Sequence, residues 1–132
     1  MKKFVLALAV LGFSVVTIDK VALADDEPTS GGLTAEQLES QGGNIQTYTT
    51  KSVGGGTWVY MSNLNGYTTS DYYHRAQKHS STVKKTNGVY YKSTRPDGQW
   101  SRAKLKYVSG QNSVYWDNAA TGSIGDVQGA DF

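Results

Sequence analysis

Residues 79–117 read HSSTVKKTNGVYYKSTRPDGQWSRAKLKYVSGQNSVYWD, and the turns inside this stretch decide the fold. Asn87-Gly88 is the strongest two-residue hairpin signal. Arg95-Pro96-Asp97-Gly98 sets Pro and Gly where a type I turn favours them, and Ser109-Gly110-Gln111-Asn112 supplies a third turn. Reading outward from these turns predicts strands near 79–86, 89–94, 99–108 and 113–117. Upstream, Thr57 to Ser62 reads as a fifth strand, and Tyr67 to His74 as a sixth strand or a loop.

The strand after the proline turn shows two faces. Ala103, Leu105 and Tyr107 alternate with Arg102, Lys104 and Lys106 at the period of two that sends neighbours to opposite sides of a sheet. One side is core and the other is basic. Trp100 shares parity with the cations, so it is either an edge residue covering the rim of the core or an aromatic platform for a ligand.

All three tryptophans and eight of the nine tyrosines lie between Gly54 and Asn118, which marks 54–118 as the folding unit. About 65 residues lie near the lower limit for an independent core, because so small a domain buries only about 60% of its unfolded surface. Two small sheets packed face to face would use the aromatics well, and a homodimer would add burial.

The flanks differ. Met1-Lys2-Lys3, an uncharged run from Phe4 to Val16 and Ala22-Leu23-Ala24 have the layout of a secretory signal peptide cleaved after Ala24. Asp19 and Lys20 break the apolar run before it reaches the roughly 20 residues that a membrane span needs. The expected destination is therefore extracellular. Residues 25–53 are rich in Gly, Ser, Thr and acidic side chains and read as a flexible acidic segment. Thr34 and Gln37 fit a capping box, which allows one short helix around Ala35 to Ser40. Residues 119–132 read as a flexible tail.

Charge follows the same division. Asp25, Asp26, Glu27, Glu36 and Glu39 outnumber Lys51 in the first segment. Nine Lys and Arg outnumber Asp71, Asp97 and Asp117 between Gly54 and Asn118, and Asp126 and Asp131 make the tail acidic. A basic middle between acidic ends suggests an anionic partner for the middle and ends that solvate or mask it.

Composition also narrows the chemistry. The absence of cysteine excludes disulfides, thiolate metal sites and cysteine nucleophiles. Asp71, His74 and Ser70, Ser80 or Ser81 could form a triad on paper, but no serine stands in a Gly-x-Ser-x-Gly elbow, so no catalytic residue is expected. His74 and His79 fall short of the three protein ligands of a catalytic zinc site; neither a metal nor another cofactor is expected. A basic aromatic sheet could bind single-stranded nucleic acid, but export points away from nucleic acid and toward wall polymers, anionic lipids and pyrophosphate-linked wall precursors.

Several blocks in fixed order resemble the lactococcin 972 family of bacteriocins. They are Gly55-Gly56-Thr57-Trp58, Ser70-Asp71-Tyr72-Tyr73-His74, Lys78-His79-Ser80-Ser81-Thr82-Val83, Gln99-Trp100-Ser101-Arg102-Ala103 and Val114-Tyr115-Trp116. The resemblance implies an exported antibacterial protein acting on related Gram-positive bacteria. Its expected fold is all-β, an antiparallel β-sandwich of two three-stranded sheets after a disordered acidic segment. It also implies interference with septal wall assembly through the precursor lipid II, and a dedicated immunity protein or transporter as accompanying partners. A wall-binding or adhesion module without killing activity is the alternative. In this reading Trp100, Arg102, Lys104 and Lys106 are the first candidates for ligand contact. Trp58, Tyr72, Tyr73 and Trp116 belong mainly to the core, and His74 and His79 position the loop between them.

Overall fold

Turn chemistry and alternating side chains set out the strands, and the computed structural model, which describes residues 28–41 and 48–130, shows where they pair. The chain order is β1 (Ser30–Leu33), α1 (Ala35–Ser40), β2 (Thr49–Val53), β3 (Gly56–Leu64), β4 (Tyr67–Tyr73) and β5 (His79–Lys85). It continues through β6 (Val89–Arg95), β7 (Trp100–Lys106), β8 (Asn112–Asp117) and β9 (Gly125–Ala130). The expected signal peptide, 1–24, lies outside the described residues.

Two antiparallel sheets result. One has five strands in the order β1-β8-β5-β6-β9 and the other four in the order β2-β3-β4-β7. The expectation of two three-stranded sheets is corrected here. Its six strands form β8-β5-β6 and β3-β4-β7, but β1, β2 and β9 extend both sheets at their edges. All three added strands come from segments whose composition reads as flexible. They are held mainly by backbone ladders, with only Leu33 of β1 and Val53 of β2 packing against the core, so composition carries little trace of them.

The N-terminal part shows how such a segment is retained. Gly31 and Gly32 of β1 pair with Trp116 and Tyr115, and a Cβ at Gly32 would stand 2.1 Å from the Val114 carbonyl oxygen. Only glycine fits an approach so close. In α1 the Thr34 hydroxyl accepts from the Gln37 amide at 3.3 Å, and the Gln37 side chain accepts from the Thr34 amide at 3.0 Å, completing the capping box. Six residues of helix do not persist alone. Leu38 is buried in the core, Glu39 accepts from the Gly110 amide at 2.8 Å and the Tyr60 hydroxyl donates to Gln41 at 2.8 Å.

Inward-facing residues of both sheets meet in one cluster built around Trp58, Tyr60, Tyr72, Val83, Val114 and Trp116. Tyr72 and Trp116 face each other across the sheets at 5.3 Å between ring centroids, and Trp58 lies 4.5 Å from Tyr60. The hairpin joining β3 to β4 turns at Asn65 and Gly66, with φ of 52° and 89°, the left-handed pair that a type I′ turn requires.

Because α1 is part of the core, Leu38→Ala should lower unfolding free energy by about 2–3 kcal/mol, as for other buried leucines. Urea denaturation of the chain beginning at Asp25 measures this; an unchanged midpoint would show α1 to be dispensable.

Candidate functional site

The outer face of the four-stranded sheet is set by the antiparallel register of β4 and β7. Tyr73 stands opposite Trp100, Asp71 opposite Arg102, Thr69 opposite Lys104 and Tyr67 opposite Lys106. Residues between them point inward: Ser70, Tyr72 and Ser101 are fully buried and Ala103 nearly so. The register therefore brings all four candidate contact residues, Trp100, Arg102, Lys104 and Lys106, onto one face.

Aromatic and cationic groups interleave along that face. The Tyr73 and Trp100 rings pack at 5.4 Å with a 40° tilt, and the Arg102 guanidinium lies 5.5 Å from the centre of the Trp100 ring. Lys104 Nζ sits 4.9 Å over the Tyr67 ring, which is itself exposed. Arg102 and Lys104 are thus each held beside an amphipathic ring at a distance where cation–π attraction operates. Tyr73, expected in the core, stands here instead, because it is one residue past Tyr72 on a strand of period two.

Arg102 Nη1 also donates to Asp71 Oδ2 at 3.2 Å. The Asp71 side chain is only 15% exposed against 66% for Arg102, so the carboxylate is the buried partner. Burial pushes its pKa up to about 6, against the lowering effect of Arg102.

A second wall rises beside β7. The β6 and β9 edge of the five-stranded sheet overhangs it, and Tyr91, Arg95 and Asp126 face Asp71, Trp100 and Arg102 across a cavity of about 440 Å³. Arg95 Nη2 lies 2.8 Å from Asp126 Oδ1, while the Tyr91 hydroxyl donates to Asp126 Oδ2 at 2.7 Å. The hydrogen bond to Asp126 raises the Tyr91 pKa. Partial burial would raise Asp126, but the hydrogen bonds from Tyr91 and Arg95 outweigh it and hold the carboxyl below its ordinary value. This wall escapes sequence reading, since β9 lies in a stretch with little strand character.

The remaining motif residues are structural in their contacts. Trp58 Nε1 donates to Ser70 Oγ at 2.9 Å, and Ser70 donates to the Tyr115 carbonyl at 2.9 Å, so Ser70 is committed within the core. Trp116 and Tyr72 are buried beside each other. His74 Nδ1 accepts from the Ala76 and Gln77 amides, both at 3.1 Å, which shapes the loop after β4. The buried His79 ring spans two carbonyl oxygens, Gln77 at 2.8 Å from Nδ1 and Gln99 at 2.6 Å from Nε2, tying that loop to the turn before β7. The two imidazoles stand 6.4 Å apart, and among the described residues no three His, Asp or Glu side chains cluster as metal ligands.

The raised Asp71 pKa has a definite sign. Between 3.8 and about 6 the folded chain holds a proton that the unfolded chain has released, so stability falls as pH rises through this window. Asp71→Asn should therefore melt higher than the unaltered chain at neutral pH, with the two curves converging below 3.8. Thermal unfolding against pH tests this; parallel curves would refute it.

Residues 54–116 match a protein family described as Bacteriocin (Lactococcin_972). No curated protein and no solved structure matches the chain. Among the described residues no helix is long and apolar enough to cross a membrane. The matched span runs from the turn before β3 to Trp116 in β8 and contains the six strands of the two expected sheets, with every residue of the basic aromatic face. What the comparison establishes is a match of residues 54–116, just under half of the chain, to the lactococcin 972 bacteriocin family.

Proposed function

We propose that the chain is an exported antibacterial protein that acts at the envelope of related Gram-positive bacteria by binding rather than by catalysis. Its target is an anionic envelope component, either a wall polymer or a cell-wall precursor such as lipid II, whose sequestration would block septal wall synthesis. The observation that carries this reading is the continuous outer face of β4 and β7 within the bacteriocin domain. There Trp100 and Tyr73 stand at one end and Tyr67 at the other, with Arg102 and Lys104 between them and Lys106 opposite Tyr67.

The chemistry suits such a target. Guanidinium and ammonium groups donate to phosphate or carboxylate oxygens, and the adjacent rings offer flat apolar surface to a sugar or isoprenoid portion. Arg102 and Lys104 are already oriented by ring contacts, so part of the ordering cost of binding is met before the ligand arrives. A dedicated immunity protein or transporter would complete the system in the producing cell.

The double variant Trp100→Ala/Lys104→Ala should raise the minimum inhibitory concentration of purified 25–132 about tenfold or more, since two contacts of roughly 1 kcal/mol each are lost. Purified lipid II should relieve inhibition by the unaltered protein. Folded protein that binds peptidoglycan yet inhibits no related strain would sink the antibacterial reading and favour a wall-binding module.

A further inference from the structure

The pairing of Asp126 with Arg95 and Tyr91 has the form of an occupied anion site. Arg95 approaches one carboxylate oxygen and the Tyr91 hydroxyl donates to the other, so each acceptor has its own donor. Arg95 is itself oriented by a hydrogen bond from Nη1 to the Thr94 carbonyl at 2.9 Å. A guanidinium and a phenol on the same face of one strand form a two-point receptor for any anion with two adjacent oxygens, phosphate included.

We propose that Arg95 and Tyr91 form a phosphate-class anion clamp that the chain's own Asp126 masks, with β9 as a displaceable strap over it. The proposal takes the anionic character of the ligand from the function proposed above; the clamp and its occupant rest on the geometry alone.

Three observations support a removable strap. β9 pairs with β6 on one side and is the outermost strand of its sheet, so opening it breaks a single ladder. Its side chains give it little hold: Gly125 and Gly129 have none, and Val127 and the preceding Ile124 are each 52% exposed. Strands with few buried apolar contacts open at low free energy. β9 also lies beyond the bacteriocin domain at 54–116.

Charge favours the exchange. Arg95, Arg102 and Lys104 line the shared cavity against Asp71 and Asp126, three cations to two carboxylates. Withdrawing Asp126 leaves three cations against one carboxylate, a site suited to a dianion, with Trp100 at its margin. The acidic tail then screens the basic domain until a multivalent anion displaces it.

The test is titration of the full mature chain with inorganic pyrophosphate by calorimetry, and with vesicles of phosphatidylglycerol in a second arm. Asp126→Asn should bind pyrophosphate at least about tenfold more tightly than the unaltered chain, and adding Arg95→Gln should remove that gain. Asp97→Asn, which makes the same charge change at an exposed turn, should give no comparable gain. In the unaltered chain, saturating pyrophosphate should speed hydrogen exchange of the β9 amides, a readout that does not depend on any variant folding. A gain with pyrophosphate alone would assign a diphosphate ligand, and a gain in both arms a membrane phosphate. An Asp126→Asn gain no larger than that of Asp97→Asn, or a gain surviving Arg95→Gln, would overturn the clamp. Unchanged β9 exchange at saturation would overturn the strap. Neither result requires growth inhibition, so a failure of the antibacterial reading is separately visible.

Discussion

The two sheets are tied at Ser70. Its hydroxyl accepts from the Trp58 indole within its own sheet and donates to the Tyr115 carbonyl of the other, in a site with no solvent exposure. Each of these groups would be costly to bury unpaired, by about 1–3 kcal/mol. Alternation then does the rest. With Ser70 and Tyr72 fixed inward, Thr69, Asp71 and Tyr73 must face outward, and the register with β7 carries the same parity to Trp100, Arg102, Lys104 and Lys106. A slip of one residue would bury the cations and expose the core. The basic aromatic face is thus a consequence of how the core is closed.

That logic explains what the sequence makes legible. β7 announces itself because its cations and apolar residues alternate without a break, Asn87-Gly88 marks the β5–β6 hairpin, and Pro96-Asp97-Gly98 marks the turn by which the chain passes from one sheet to the other. The Asn65-Gly66 turn carries as strong a signal and would have identified β4 as a strand rather than a loop. Tyr73 could have been placed by parity from Tyr72. β1, β2 and β9 are different in kind: their glycines, serines and threonines satisfy edge ladders or close approaches, and no local pattern names the partner strand. The wall formed by Arg95, Tyr91 and Asp126 depends on β9 and was hidden for the same reason.

The edge strands also account for how a small domain without disulfides holds together. The six central strands alone would leave both sheets with long open edges and a core near the minimum workable size. β1 and α1 close one side by burying Leu38 and Ala35 and by packing Gly31 against the Trp116 ring. The acidic ends therefore have a structural role. Glu39 accepts from the Gly110 backbone and Asp126 from Arg95 and Tyr91, so charge that appears in the sequence as a solvating flank is partly spent inside the fold.

Asp71 departs from this economy in an informative way. A carboxyl pushed up to about 6 by burial is a net liability to stability at neutral pH, and Arg102 offsets only part of it. An asparagine or threonine would serve the sheet at less cost. What the carboxylate supplies is a fixed position for Arg102 beside Trp100, and a lining group for the cavity that Arg95 and Asp126 bound from the other side. Local rules are commonly broken where a site is built. The outer face holds Arg102 and Lys104 by ring contacts and Arg102 also by Asp71, the overhanging edge holds Arg95 by a second acid, and an incoming anion would have to compete with both carboxylates for the same guanidinium groups.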